Sequence, residues 1–239
     1  MAIQTCTLSF ERPQTSVDVV IFTVLSKQLQ VLLVKRPEGH DEPFPSMWAL
    51  PGGFVDVKKD VSLEGCAKRK LLDKTGVKSP YLEQLGSWGG KTRDPRGWSA
   101  THAYFALLPA DSVQLVQDNA TPTQWHPVEQ LSHRKRLAFD HGQILQAALE
   151  RLRSKVEYTS LPAFLLPEPF TLPQLQKVYE VVLGRPIDKS GFRTRALAAD
   201  FLKEDGFLDV GSPRPAMGYR LKKRESLVYF PRTFGPRGS

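Results

Sequence analysis

The chain has 239 residues, of which 41% are hydrophobic, which is enough for one large domain or two small ones. No apolar run reaches the roughly 18–20 residues that a membrane-spanning helix needs, and the start of the chain lacks a secretory signal pattern. Two cysteines, Cys6 and Cys66, are too few for a disulfide framework. We therefore expect a cytoplasmic protein with reduced thiols and no membrane partner.

The positive charge is concentrated in the C-terminal part of the chain. Residues 151–239 hold 16 Lys and Arg against 9 Asp and Glu, a net charge of +7, whereas the whole chain carries +8. Residues 1–150 are therefore close to neutral. A basic segment joined to a near-neutral one suggests a polyanion as partner, and the alternative is a solvated surface.

The hydrophobic pattern over residues 1–157 predicts strands alternating with helices. A first helix begins after the N-cap Ser62 and stops at Gly76, and a later helix begins after the N-cap Asp140. The segment 38–46 has the composition of a loop. Strands are predicted at 17–25, at 29–34, around the glycine pair at 48–57, and at 99–109.

The pattern changes after the proline-rich segment 158–170, which we interpret as an inter-domain linker. Residues 171–239 then form a second domain. Its first helix begins with a capping box at Thr171 and ends at Gly184, and its second helix runs from Asp188 to Glu204. A strand at 207–210, a loop at 211–218 and a strand at 219–223 follow. This order, two helices and a ribbon, is that of a winged helix-turn-helix domain.

One motif in the first domain has a familiar spacing. LPGGFVD at residues 50–56 is followed by a helix that bears Arg69, Leu71 and Thr75-Gly76. This combination resembles the Nudix box, and the resemblance covers roughly residues 15–150. It implies an α/β/α sandwich around a mixed sheet. It also implies a box helix whose carboxylates hold Mg²⁺ against a pyrophosphate.

The box of this chain departs from the family pattern. By spacing, the three helical glutamates of the family fall on Lys70, Asp73 and Lys74, and Asp60 or Glu64 only loosely matches a fourth. Lys70 and Lys74 share one helical face and would repel a dication. We therefore predict no metal site and no catalytic residues. The alternative is that this stretch is an ordinary amphipathic helix. That alternative does not explain why Arg69 and Thr75-Gly76 stand in register with the LPGGF stretch.

A second segment, KTRDPRGWSATHAYFAL at residues 91–107, resembles the Nudix branch that includes ADP-ribose pyrophosphatases and their regulatory relatives. LAFDHGQIL at 137–145 also resembles that branch. Arginine side chains can bind a pyrophosphate bidentately without a metal. We predict nucleotide binding by Arg36, Gly52, Gly53, Lys70, Lys74, Arg93 and Arg96. The alternative for Arg93 and Arg96 is that they form salt bridges within their loop.

A Nudix domain followed by a basic winged helix resembles the Nudix-related transcriptional regulators of NAD metabolism, the NrtR type, along essentially the whole chain. Members of this family act as homodimeric repressors on palindromic operators, and ADP-ribose or a related nucleotide releases them. The resemblance implies the same behaviour here, with the 158–170 linker as the pivot. Two other readings are an active ADP-ribose pyrophosphatase and an RNA-binding relative.

The expected DNA contacts lie on the second helix of the winged domain and on its wing. The N-terminal part of a recognition helix contacts base edges, and the wing contacts phosphates or the minor groove. For Lys222, Lys223 and Arg224, a solvated charge run is the alternative. The predicted DNA-binding residues are Lys189, Ser190, Arg193, Thr194, Arg195, Arg214, Tyr219, Lys222, Lys223 and Arg224.

Overall fold

The computed structural model of the protein describes residues 11–78, 81–115, 122–134, 137–211, 213–224 and 226–230. None of the helices in these ranges is long and apolar enough to cross a membrane. The strands are β1 (Gln14–Leu25), β2 (Gln28–Lys35), β3 (Trp48–Ala49), β4 (Gly52–Phe54), β5 (Tyr81–Gly90), β6 (Ser99–Leu107), β7 (Thr123–Pro127), β8 (Phe170–Thr171), β9 (Leu202–Leu208) and β10 (Ala216–Leu221). The α-helices are α1 (Leu63–Thr75), α2 (Val128–Arg134), α3 (His141–Val156), α4 (Leu172–Leu183) and α5 (Lys189–Ala198).

The front domain is built on a mixed sheet with the strand order β3-β2-β1-β6-β5. β1 and β6 run parallel, whereas β2 and β5 pair antiparallel with them. Two further strands attach to this path, β4 on β1 and β7 on β2. The central strand β1 is buried along eight consecutive residues, as expected for a strand that is covered on both faces.

Helices cover both faces of this sheet. Because side chains alternate along a strand, Val17 and Ile21 of β1 pack with Leu71 of α1 on one face. Val20 on the opposite face belongs to the cluster that contains Ile144 of α3. The predicted α/β/α sandwich around a mixed sheet is therefore confirmed.

The local signals of the box helix are also confirmed. Ser62 caps α1, because its Oγ accepts a hydrogen bond from the backbone N–H of Gly65 at 3.0 Å. Gly76 ends the helix in the left-handed conformation, with φ of 68°. Strand β5 and helix α2 were not predicted from the sequence.

The rear domain has the predicted winged-helix order. α4 begins with the capping box of Thr171 and Gln174, and Asp188 caps α5. A three-stranded sheet of order β8-β10-β9 completes the domain. The prediction that the second helix extends to Glu204 is wrong. α5 ends at Ala198, Asp200 adopts a positive φ of 55°, and β9 begins at Leu202.

The proline-rich segment 158–170, which was predicted to be an inter-domain linker, packs against the apolar core. Its residues Leu161–Leu165 form a 3-10 helix and are all buried. The hydroxyl of Tyr179 on α4 donates a buried hydrogen bond to the carbonyl of Thr159 at 2.7 Å. Beyond β10 the chain returns to this segment, where Phe230 N–H donates to the carbonyl of Tyr158 at 2.7 Å. The joint between the domains, residues 158–170, is thus held by buried apolar side chains and by hydrogen bonds to α4 and to the end of the described chain.

Candidate functional site

A cleft opens beside the glycine pair of β4, where β4 runs antiparallel to β1. A Cβ at Gly52 would lie 1.9 Å from Oδ1 of Asp18 and 2.6 Å from the backbone oxygen of Val17, so only glycine fits there. Gly53 has φ of 141°, and a Cβ there would lie 2.8 Å from Nζ of Lys70. The glycine pair therefore brings bare backbone to the cleft and leaves room for the Lys70 ammonium at its edge.

Three arginines line the cleft, and each is paired with a neighbouring carboxylate. Arg93 donates two hydrogen bonds to Asp140, at 2.9 and 2.8 Å. Arg96 donates two to Asp94, at 3.0 and 2.8 Å. Arg36 donates to Glu42 at 2.6 Å and also to the carbonyl of Pro43. The bidentate pairs of Arg93 and Arg96, and the two separate hydrogen bonds of Arg36, hold the guanidinium groups in place at the cleft wall.

Two aromatic rings face the same cleft beneath these arginines. The guanidinium carbon of Arg96 lies 5.1 Å from the ring centroid of Phe54, and that of Arg36 lies 5.0 Å from the ring centroid of Phe139. A wall of flat apolar rings combined with fixed cations suits a ligand that carries both an aromatic base and phosphates.

A buried carboxylate, Asp18, forms the floor of the cleft. Burial alone would raise the pKa of Asp18, but the nearby His141, the hydrogen bond from Thr101 at 2.7 Å and the charge of Arg93 outweigh it and lower that pKa. Nδ1 of His141 accepts a hydrogen bond from the backbone N–H of Leu50 at 2.9 Å. The ionised Asp18 therefore ties β1, β6 and the start of α3 together.

The box helix α1 lies on the edge of this cleft and carries a different ion pair. Arg69 donates to Asp60 at 2.7 and 2.6 Å, and this pairing lowers the pKa of the Asp60 carboxyl. The carboxylate of Asp73 lies 3.6 Å from Arg69. At the three positions aligned with the box glutamates, α1 carries Lys70, Asp73 and Lys74, and the carboxylate of Asp73 faces Arg69. Two ammonium groups do not fit a hard dication, which needs oxygen ligands. Within the described ranges, no three His, Cys, Asp or Glu side chains are grouped to hold a metal ion.

The predicted nucleotide-binding residues are only partly brought together. Arg36, Gly52, Gly53, Arg93 and Arg96 line the cleft, whereas Lys70 reaches its edge and Lys74 is not part of the lining. The alternative of a salt bridge within the loop is present for Arg96, which pairs with Asp94, whereas Arg93 pairs with Asp140 outside that loop. Six residues that pair with these arginines or line the cleft were not identified as site residues from the sequence, and all of them except Asp94 lie in other segments. They are Asp18, Phe54, Asp94, Phe139, Asp140 and His141.

The DNA-binding candidates of the rear domain are exposed, with the exception of Tyr219, and two of the exposed residues form ion pairs with other described residues. Lys189, Ser190, Arg193, Thr194 and Arg195 are exposed on α5, and Lys223 and Arg214 are exposed on the ribbon side. Lys222 pairs with Asp200 at 2.5 Å, and Arg224 pairs with Glu168 at 3.0 Å. Within the part of the chain that the structure describes, no ion pair involves Lys189, Arg193 or Lys223.

Tyr219 does not belong to this surface, and its prediction as a DNA contact is wrong. Its side chain is 6% exposed and is part of the main apolar cluster. Tyr219 occupies the inward-facing register of β10, opposite Phe170 of β8, where it packs under the ribbon. Strand alternation sends the next residue, Arg220, to the outside.

Helix α3 links the cleft to the winged domain. It begins beside the cleft, at Asp140 and His141, and its other end contacts α4. There Arg153 donates a hydrogen bond to the carbonyl of Val182 at 3.1 Å, and Glu157 lies 3.3 Å from Arg185. Asp140 stands at the N-cap of α3, but its side chain makes no cap hydrogen bond because both oxygens bind Arg93.

A sandwich with a glycine-lined cleft, joined to a winged helix with an exposed basic recognition helix, defines a DNA-binding protein with a Nudix-type front domain. A profile of the NUDIX domain matches residues 14–148, and a profile of the NrtR DNA-binding winged helix domain matches residues 162–221. The chain therefore belongs to the NrtR family of Nudix-related transcriptional regulators. The second profile starts within the segment 158–170 that was predicted to be a linker.

Individual relatives agree with this assignment. The chain is 44% identical over 223 residues, 93% of its length and 88% of the relative's, to the ADPR responsive transcriptional repressor NtrR of Acinetobacter baylyi. Its structure is similar to that of Shewanella oneidensis NrtR complexed with a 27mer DNA, with a TM-score of 0.83 and 44% identity over 91% of this chain and 98% of that one. The NUDIX domain of the Shewanella protein complexed with ADP ribose matches with a TM-score of 0.54 and 42% identity, over 60% of this chain and 91% of that chain.

Proposed function

We propose that this protein is a repressor of NAD metabolism genes that binds a palindromic operator as a homodimer and leaves it when ADP-ribose or a related nucleotide enters the front cleft. The observation that carries the proposal is the joining of two anion-binding surfaces in one chain. One is a cleft with fixed arginines and aromatic rings, and the other is a recognition helix with exposed cations that form no ion pair with any described residue. A regulator of this kind works on the chromosome, so we expect it in the cytoplasm.

We propose further that the cleft binds its nucleotide without a metal and does not hydrolyse it. The positions that the Nudix pattern assigns to the box glutamates carry Lys70, Asp73 and Lys74 by spacing, and the one carboxylate faces Arg69. Arg93 and Arg96 can neutralise a pyrophosphate in place of a dication. An assay of ADP-ribose hydrolysis with Mg²⁺ decides between the two activities. Rapid turnover that is lost in Asp73→Ala would favour a pyrophosphatase and contradict this part of the proposal.

The ligand and the winged domain can communicate through α3. A pyrophosphate that enters the cleft competes with Asp140 for Arg93, because both are anions suited to the same bidentate donor. Asp140, once released, can accept hydrogen bonds from the first turn of α3 as a normal N-cap. This changes the start of the helix whose far end holds α4, about 24 Å away along 16 residues. Differential affinity of the nucleotide for the two arrangements then shifts the protein away from DNA.

A binding titration tests the proposal as a whole. Duplexes of the length used for the Shewanella protein complex, 27 bases, are selected from a random pool with the wild-type protein. Fluorescence anisotropy then measures affinity with and without ADP-ribose, and sedimentation gives the oligomeric state. We expect a two-fold symmetric selected sequence, a dimer, and weaker binding in ADP-ribose. Failure to enrich any sequence would rule out a repressor, and unchanged affinity in ADP-ribose would rule out that effector.

A further inference from the structure

One exposed apolar side chain of the recognition helix has no explanation in the fold. Leu197 is 44% exposed, and it stands in the second half of α5. An isolated exposed leucine is common on protein surfaces and by itself carries no meaning. Its position on the helix is what matters here.

The orientation of α5 follows from the residues that it buries. Ala196 is 3% exposed, and Phe192, one turn earlier, packs edge-to-face on Tyr179 with ring centroids 5.1 Å apart. At 100° per residue, the line opposite Phe192 and Ala196 runs through Ser190, Thr194 and Leu197. Leu197 therefore continues the outward stripe that the sequence analysis assigned to groove contacts.

The surroundings of Leu197 favour DNA over a second protein surface. Arg193 lies one turn before Leu197 on the same side of α5, and Lys189 one turn before that. In the described residues neither cation has a carboxylate partner within ion-pair distance. Two copies of the chain that met through this face would bring like charges together, whereas DNA phosphates would neutralise them.

We propose that Leu197 is a specificity-determining residue that packs against the 5-methyl group of a thymine in the major groove. This inference rests on the proposed operator binding. The thymine methyl is the apolar feature that the major groove offers, and small apolar side chains recognise it by contact. Ser190 and Arg193 then supply polar contacts to neighbouring bases, and Leu197 adds a requirement for thymine at one defined position in each half-site.

Replacing thymine by deoxyuridine tests this contact, because the exchange removes only the methyl group. The probe is the duplex selected by the wild-type protein, with each thymine of a half-site replaced in turn. We expect one position in each half-site where the replacement weakens binding about fourfold, which corresponds to the loss of one apolar methyl contact. In Leu197→Ala that position should no longer distinguish thymine from deoxyuridine, while the affinity of the deoxyuridine duplex stays close to that of the wild type.

The matched control is Leu72→Ala, which truncates a leucine of similar exposure, 38%, on helix α1 of the front domain. It should keep the full discrimination between thymine and deoxyuridine. Circular dichroism and sedimentation of Leu197→Ala should match the wild type. A selected half-site without thymine, equal binding at every replaced position, or discrimination that persists in Leu197→Ala would each overturn the role of Leu197 and leave the repressor proposal intact. Loss of dimerisation in Leu197→Ala would instead assign this face to a protein contact.

Discussion

The two cationic surfaces of this protein are built on opposite principles. In the front cleft, the guanidinium of Arg93 is 8% exposed and already bound to a carboxylate. On α5, Arg193 is exposed and no described residue forms an ion pair with it. A paired arginine is held in one orientation and binds only a ligand that can displace or share its partner. An unpaired, solvated cation accepts any polyanion, with an affinity that depends on salt.

The largest difference between these surfaces should be in folding stability. Arg93→Ala leaves the buried carboxylate of Asp18 and the half-buried carboxylate of Asp140 without this cation, so we expect the free energy of unfolding to fall by about 3 kcal/mol. Arg193→Ala should change it by less than about 0.5 kcal/mol. Urea denaturation of the two variants measures both values. If both variants lose a similar free energy of unfolding, the Arg93–Asp140 pair contributes no more to folding stability than an exposed residue does.

The substitution of Arg193 should act on operator affinity, although it should change folding stability very little. Arg193→Ala should weaken operator binding by about 1–3 kcal/mol and relax the sequence preference, if this side chain contacts a base. The measurement is anisotropy on the selected duplex and on a random duplex of equal length. An equal loss on both would make Arg193 a phosphate contact.

The Arg93–Asp140 pair offers a test of competition in the cleft. Asp140→Asn removes the charge that binds Arg93 but keeps the shape, so ADP-ribose should bind about fivefold more tightly, or about 1 kcal/mol. Calorimetry gives this affinity. Asp94→Asn, which affects the neighbouring Arg96, is the matched control for a general change of cleft charge. Weaker binding in Asp140→Asn would mean that Asp140 orients Arg93 for the ligand instead of competing with it.

Acid should weaken the front domain through Asp18. The pKa of Asp18 is lowered in the folded state, so its contribution to stability is complete above the ordinary carboxyl pKa of about 3.9 and is lost as the pH falls below it. Denaturation curves between about pH 6 and pH 3 should therefore show a decline that is shallower in Asp18→Asn. An identical slope in the variant would assign the decline to other carboxylates, such as Asp94, whose pKa is also lowered.

The smallest expected effect concerns Lys222 and Lys223, two neighbouring lysines that directly follow β10. Lys222 is paired with Asp200, whereas its neighbour Lys223 is exposed, and no described residue pairs with it. Lys223→Ala should weaken binding to all DNA alike and lower the slope of log affinity against log salt by about 0.9. Lys222→Ala should lower it less, because Asp200 already neutralises that ammonium. Equal slopes for the two variants would contradict the importance of pairing.

Much of this architecture could be predicted from local signals in the sequence. Ser62, Thr171 and Asp188 begin helices because their side chains accept hydrogen bonds from nearby backbone N–H groups, which is a purely local property. Strand β5 was missed because its sequence, YLEQLGSWGG, is rich in glycine and has no β-branched residue. Pairing with β6 forms it, and that pairing is not visible in a single segment.

The candidate site was harder to predict than the fold, because its partners come from distant segments. Arg93 was identified, but Asp140 lies 47 residues further along the chain and was interpreted only as a helix cap. Tyr219 was predicted to contact DNA, whereas the register of β10 turns it inward. In both cases the geometry of the sheet, and not the local sequence, decides which side chain faces which surface.

The return of the chain to the joint has a consequence for synthesis. Val228 and Phe230 hydrogen-bond to Ser160 and Tyr158, so some of the last described residues complete a contact with the middle of the chain. The front domain emerges from the ribosome first and can fold before these residues exist. A nascent or truncated chain that ends before residue 228 would therefore have a folded front domain, but its winged domain would lack these hydrogen bonds to residues 158–160.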